Sequence, residues 1–323
     1  MSSVVLAAER LTKTYDGHTA LRELSFELQA GRVMGFLGPN GAGKTTAIRI
    51  LTTILRPTSG RFVIDGVGSE DPARVRPRIG VLPETLGLPN QITGSEYISY
   101  FAQLYGRRRA DARRHGLATL ELVGMRERAG RLIRTYSHGM RQRLGIARAL
   151  INDPVVLFLD EPVAGLDPRG QLDLLALLRD IAKDRGTAII LCSHGLSEVE
   201  DACDDVLVLS EGRVVASGSV SDVLALARQR VSRTDLRIHV PTSAAERANA
   251  TLRAIPAIES VRGGIVDGRL EVSLARGPDQ AIEGTTNEIL DQLLGDEIPV
   301  LGFEVEGSRL QDAFIELTEG RSS

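Results

Sequence analysis

Lysine occurs only at Lys13, Lys44 and Lys183, and cysteine only at Cys192 and Cys203, in a chain of 323 residues. Two cysteines cannot build a disulfide framework or a four-ligand zinc site, and their scarcity suits a reducing compartment. No apolar run approaches the roughly 20 residues that span a bilayer, so work at a membrane would require a second chain. The opening MSSVVLAAERL carries an apolar run too short for a signal-peptide core, with Glu9 and Arg10 close behind. The net charge is −3, without the basic excess expected of a protein that lives on nucleic acid. A hydrophobic content of 42% is enough for one large domain or two smaller ones.

With lysine so scarce, the position of Lys44 is informative. It lies in GPNGAGKTT, residues 38–46, between the short apolar run Val33 to Leu37 and KTTAIRILTTIL, whose apolar residues recur at helical spacing. The order is strand, turn, helix. Gly38 to Thr45 matches G-x-x-x-x-G-K-[ST], a loop whose backbone N–H groups curl around phosphate oxygens. Glycine is required where a Cβ would obstruct that approach. The expected cradle is Gly38, Pro39, Asn40, Gly41, Ala42, Gly43, Lys44, Thr45 and Thr46. Lys44 would neutralise the β and γ phosphates, the helix N-terminus would add partial positive charge, and the Thr45 hydroxyl would ligate Mg²⁺.

A second apolar run, DPVVLFLDEP at 153–162, ends in Asp160 and Glu161. Continuous apolarity suits a strand buried on both faces of a parallel sheet, whose C-terminal ends open on the ligand crevice. Asp160 would hold Mg²⁺ opposite Thr45, and Glu161 would orient or deprotonate an attacking water. A third strand, TAIILCSH, ends at His194, where an imidazole would reach the γ-phosphate and that water. Taken singly, each feature also fits a bland structural role; together the three strands deliver phosphate-directed groups to one end of a sheet.

YSHGMRQRLGIARAL, residues 136–150, discriminates among nucleotide-binding families. Ser137 reads as a helix N-cap with Gly139 in the first turn of an amphipathic helix. Placed before the Asp-Glu strand, Ser137, Gly139 and Gln142 resemble the signature motif of ATP-binding cassette (ABC) proteins. Tyr136, His138 and Met140 replace that motif's usual leucine, first glycine and glutamine. Further landmarks resemble the same family. Tyr15 matches its adenine-stacking aromatic, Asp167 in AGLDP its interface aspartate, and His194 its switch histidine. Glu84, in IGVLPETLGL, stands where the family has glutamine and brings an extra negative charge near the metal. The resemblance covers residues 4 to about 220.

It implies an α/β P-loop NTPase core of the RecA-like type with a helical subdomain at about 91–150. It also implies two copies sandwiching two ATP molecules head to tail, Ser137 and Gly139 of one copy closing over ATP held by the phosphate loop of the other. Cofactor-binding roles fall to the cradle, Tyr15, Ser137, Gly139 and Asp167, catalytic roles to Glu161 and His194, and Mg²⁺ to Thr45, Glu84 and Asp160.

Between Gly106 and Arg134 nine arginines stand against Asp111, Glu121 and Glu127; a solvated helical face and an orientation toward anionic lipid or an acidic partner both fit. The pattern changes near residue 230, giving a division into 1–229 and 230–323. TDLRIHV, SAAERANATLRAI, ESVRGGIVDGRLEVSL, QAIEGTTNEILDQLL, IPVLGFEVE and RLQDAFIELT read as strand, helix, hairpin turning near Asp267 and Gly268, helix, strand and helix. That order suggests a small α+β, ferredoxin-like domain. Its layout and the closing LQDAFIELTEG resemble the C-terminal extension of drug-export ATPase subunits of the daunorubicin-resistance type.

The sequence therefore predicts an ATPase subunit that dimerises on ATP and drives a separately encoded permease, peripheral on the inner face of the cell membrane and probing no nucleic acid, with export of a drug, lipid or similar cargo implied by the resemblance. The rival is a non-transport cassette acting on nucleic acid or ribosomes. Chromosome-type members insert long coiled coils between phosphate loop and Asp-Glu strand, whereas here Lys44 and Asp160 are 116 positions apart without sustained heptads. Translation-factor members carry two cassettes, and this chain carries one. A pure binding module is the third option, disfavoured by Glu161 and His194.

Overall fold

The computed structural model describes residues 3–193, 199–200, 202–230, 234–263, 267–274 and 282–305. Contacts divide the chain into two compact units, Met1–Val220 and Ser221–Ser323, with the division nine residues ahead of the sequence boundary.

The first unit opens with β1 (Val4–Tyr15) and β2 (His18–Gln29), which pair antiparallel. Asp16 and Gly17 make the turn, both at positive φ (40° and 87°), as a two-residue hairpin that must follow the right-handed twist of its strands requires. β3 (Val33–Leu37) then leads through the glycine-rich loop into α1 (Lys44–Leu51). β4 (Ser59–Ile64) and β5 (Val67–Gly68) complete a four-stranded antiparallel sheet in the order β2-β1-β4-β5. After the short α2 (Pro72–Val75), β6 (Ile79–Leu82) returns to the central sheet.

The helical segment follows. α3 (Gly94–Leu104) begins with a capping box, the Thr93 hydroxyl accepting from the Glu96 N–H while the Glu96 carboxylate accepts from the Thr93 N–H. Two orphan donors are thereby satisfied. α4 (Arg109–Leu122) and α5 (His138–Leu150) complete it. β7 (Val156–Asp160), α6 (Pro168–Arg185), β8 (Ala188–Cys192), β9 (Asp205–Ser210) and β10 (Arg213–Ser219) finish the unit.

The central sheet has the order β10-β9-β3-β8-β7-β6. β9, β3, β8, β7 and β6 run parallel, and β10 is an antiparallel edge. All residues of β3 and β8 are buried, as the continuous apolar runs require of strands covered on both faces. Between the two sheets lies a core containing Phe26, Phe36, Ile50, Leu51, Phe62 and Phe158, where the Phe26 and Phe36 rings meet edge to face at 5.3 Å. This contact locks the antiparallel sheet onto the strand that feeds the glycine-rich loop.

The division falls after the first residue of α7 (Val220–Arg230), and the second unit continues with β11 (Thr234–His239), α8 (Ala245–Ala254), β12 (Ile258–Gly263), β13 (Arg269–Leu274), α9 (Ile282–Gly295) and β14 (Gly302–Val305). Its strands pair antiparallel in the order β12-β13-β11-β14. This is the ferredoxin-like arrangement, with Leu236, Ile238, Leu252, Val272 and Ile289 in its core. β12 and β13 form the expected hairpin, with Gly268 at φ 72° beside β13. The closing helix predicted at RLQDAFIELT lies outside the described residues.

Candidate functional site

Register brings the active ends of the strands together. Phe36 pairs with Cys192, and Cys192 pairs with Asp160, so β3, β8 and β7 end side by side. The backbone N–H of Glu161 donates to the carbonyl of Cys192 at 2.9 Å, fixing the first residue beyond β7 against the end of β8. Glu161 has φ 50°, the left-handed conformation that turns the chain sharply out of the strand.

A cavity of about 660 Å³ opens at these ends. Its walls include Asn40 to Thr46 from the glycine-rich loop, Glu84 from the segment after β6, and Asp160 with Glu161 from β7. The ammonium of Lys44 donates to the carbonyls of Gly38 and Pro39, the latter at 3.2 Å, which brings the remaining cradle residues into the same arrangement. Lys44 is 8% exposed. Burial pushes its pKa below the usual lysine value, against the opposing pull of Cys192, Glu161 and Asp160. Burial likewise pushes the Cys192 thiol well above its ordinary range, reinforced by Asp160.

The loop is moulded from behind. Gly43 is the N-cap of α1 at φ 105°, and a Cβ there would lie 2.7 Å from the carbonyl oxygen of Ala20 on β2. The Gly212 N–H donates to the Ala42 carbonyl at 3.0 Å, and the Arg22 N–H donates to the Gly212 carbonyl at 2.7 Å. Two distant segments, β2 and the turn between β9 and β10, thus hold the loop's inner surface, and nothing local to the motif announces Ala20 or Gly212.

Thr45, Glu84 and Asp160 offer only oxygen donors to the cavity, the chemistry a hard divalent cation takes when substrate phosphate and water complete its shell. Among the described residues no cluster of three or more His, Cys, Asp or Glu forms a metal site by itself.

Other expected residues stand elsewhere on the chain. Ser137 caps α5, its hydroxyl oxygen accepting from the Met140 N–H at 3.3 Å, with Gly139 in the first turn. Neither borders the cavity. Tyr136 is buried, donating its hydroxyl to the Arg128 carbonyl at 2.8 Å, and burial raises its pKa. Asp167 caps α6 by accepting from the Gly170 N–H at 3.0 Å. Tyr15 is 40% exposed at the β1–β2 turn, with the Lys13 ammonium 5.2 Å from its ring centroid. His194 lies outside the described residues.

His138, which stands in place of the signature motif's usual first glycine, has a definite partner. Its Nε2 stands 2.9 Å from the Ala164 carbonyl, an oxygen that can only accept, so the ring donates through Nε2–H.

The family model for ABC transporters matches residues 21–164. An uncharacterised ABC transporter ATP-binding protein of Bacillus subtilis, YhcH, is 32% identical over 318 residues, covering 97% of this chain and 96% of that one. The daunorubicin/doxorubicin resistance ATP-binding protein DrrA of Streptomyces peucetius is 38% identical over 237 residues, covering 73% and 71%. Among solved structures, cbiO1 from Clostridium perfringens, part of the ABC transporter complex cbiONQ, aligns with a TM-score of 0.65 at 30% identity, covering 70% of this chain and 94% of that one.

Proposed function

The chain belongs to the ABC transporter family as an ATP-binding, ATP-hydrolysing subunit, and on that premise we propose how its own residues divide the work. The nucleotide's phosphates lie in the cavity bounded by Asn40 to Thr46, with Gly38 and Pro39 supporting Lys44. When phosphate enters, the Lys44 ammonium exchanges carbonyl partners for the β and γ oxygens, a charge-assisted contact stronger than the neutral ones it leaves. Thr45, Asp160 and Glu84 would hold Mg²⁺, which would supply neutralisation of the phosphate charge. Glu161 takes the proton of the attacking water, and His194 steadies the γ-phosphate. Tyr15 stacks on adenine.

The single observation that carries the dimer reading is the separation within one chain of the Ser137 helix start from the cavity holding Lys44 and Glu161. The capped N-terminus of α5 presents N–H groups suited to phosphate, and they serve a second copy. Two chains facing head to tail then complete two sites, with Asp167 at the boundary. That DrrA is a drug-resistance protein supports export of a drug or lipid as this chain's task.

A separately encoded permease supplies the membrane path, since among the described residues no helix is long and apolar enough to cross a bilayer. The chain then sits on the cytoplasmic side, peripheral through that permease. Supporting a docking place is a groove of about 330 Å³ lined by Ile54, Phe101, Tyr105, Arg76 and Arg148, where Ile54 is 68% and Tyr105 46% exposed. Large apolar side chains left in water beside a groove mark interaction surfaces.

Size-exclusion chromatography of Glu161→Gln in ATP and Mg²⁺ tests the sandwich. A dimer is expected, because the amide cannot accept the proton while the cradle is intact; a monomer at saturating ATP contradicts it.

A further inference from the structure

In one chain the start of α5 is fastened to the turn that begins at Glu161. The Nε2–H of His138 donates to the Ala164 carbonyl at 2.9 Å. Ala164 belongs to a tight turn in which its own N–H donates to the Glu161 carbonyl at 3.3 Å and the Leu166 N–H donates to the Val163 carbonyl at 3.1 Å. Gly165 takes φ 74°, and a Cβ on it would lie 3.3 Å from His138 Nε2, so the imidazole packs closely on this turn. One residue along, a Cβ on Gly139 would meet Leu166 Cδ2 at 3.5 Å. The turn continues into Asp167, whose carboxylate caps α6.

The geometry points to His138 as a positioning residue that couples the two ATP sites of the dimer. This rests on the sandwich reading above. Glu161 serves the nucleotide of its own chain, and Ser137 with Gly139 serves the partner's nucleotide. His138 adjoins Ser137 and reaches the turn that begins at Glu161. A change in that turn when ATP binds beside Glu161 is therefore transmitted to the helix start that closes on the other ATP. The proline-free run Ser137 to Met140 keeps its helical bonding and N-cap, so the histidine ring, rather than the backbone, makes this connection. Two sites tied in this way load ATP cooperatively, since each closure favours the other.

The test uses the full chain in the Glu161→Gln background, reading the ATP concentration at half-maximal dimerisation by size exclusion or light scattering with Mg²⁺ present. His138→Ala is expected to raise that concentration on the order of fivefold, the scale of one hydrogen bond, and to lower the Hill coefficient toward one. Affinity of the dilute monomer for a fluorescent ATP analogue stays unchanged, because His138 does not border its own cavity. His138→Gln, whose amide N–H can meet the same carbonyl, is expected to restore the midpoint to within about twofold. Should His138→Ala lose its cooperative thermal transition, His138→Asn, too short to span to Ala164, takes its place. An unchanged midpoint in the Ala or Asn variant, or failure of Gln to restore it, overturns the coupling role while leaving the sandwich intact. Failure of Glu161→Gln alone to dimerise overturns both.

Discussion

The Glu161 N–H meets the Cys192 carbonyl at 2.9 Å, so the position of the carboxylate depends on the neighbouring strand rather than on the flexibility of a loop. Glu161→Gln therefore keeps the backbone while it removes the proton acceptor together with the negative charge that acts on Lys44. Phosphate release is expected to fall at least about a hundredfold, the lower range for loss of a general base, with ATP binding retained. Loss of binding and turnover together in this variant would mean that Glu161 shapes the cavity instead.

Lys44 is buried with its charge turned to two carbonyls. Lys44→Ala removes charge-assisted contacts to phosphate of about 2 kcal/mol, so ATP affinity measured by calorimetry should drop on the order of thirtyfold. Unchanged affinity contradicts the assignment.

Glu84 lines the same cavity as Lys44 and Thr45 and adds negative charge to the place proposed for phosphate. Glu84→Gln should tighten ATP binding in EDTA and change it less in Mg²⁺, because a divalent cation offsets the carboxylate. A variant that binds ATP more weakly in both conditions would count against this balance.

Asp153 gathers Arg107 at 3.0 Å, Arg185 at 2.6 Å and His115 at 3.6 Å, joining the segment before α4, the end of α6 and α4 itself. Its φ of 49° is one that asparagine tolerates, so Asp153→Asn isolates the charge. These pairs are half exposed and screened; a loss of about 1 kcal/mol, or roughly 3 °C in Tm, is expected by differential scanning calorimetry. No shift in Tm would make the cluster decorative.

Cys192 is buried, and burial holds its thiol protonated. Iodoacetamide at pH 8 should leave it unmodified in the native protein and label it in denaturant, as mass spectrometry would report, because the thiolate is the reactive form. Native labelling would show that the end of β8 opens readily.

Ile54→Asp with Tyr105→Asp should abolish copurification with the permease from solubilised membranes while ATP binding persists. Undiminished copurification moves the docking place elsewhere.

The parallel strands were legible because burial on both faces leaves an unbroken apolar run, as in VVLFL before Asp160. The glycine-rich loop was legible because its turn needs glycine at the positive φ of Gly41 and Gly43. The small C-terminal unit followed from the alternation of short strand and helix patterns, and its sheet order bears out the ferredoxin-like reading. What escaped depends on contacts between residues far apart in sequence. Ala20 and Gly212 support the loop through backbone atoms, which carry no side-chain signature. His138 looked like a departure from a motif, since its partner is a carbonyl 26 positions away. The pairing of Arg107 and Arg185 on Asp153 was likewise hidden, because the arginine-rich stretch reads as uniform charge until α4 and α6 are set beside the β7 entry.

The wall that Ala20 and Gly212 build behind Ala42 and Gly43 has a consequence for protein engineering. GPNGAGKTT is not a portable cassette: grafted onto another strand and helix it would keep its letters but lose the backing that sets its curvature. Conversely, a side chain at Gly212, whose Cβ would lie 2.9 Å from the Ala20 carbonyl oxygen, would deform nucleotide recognition from outside the cavity, so a damaged transporter could trace its defect to a turn that looks purely architectural.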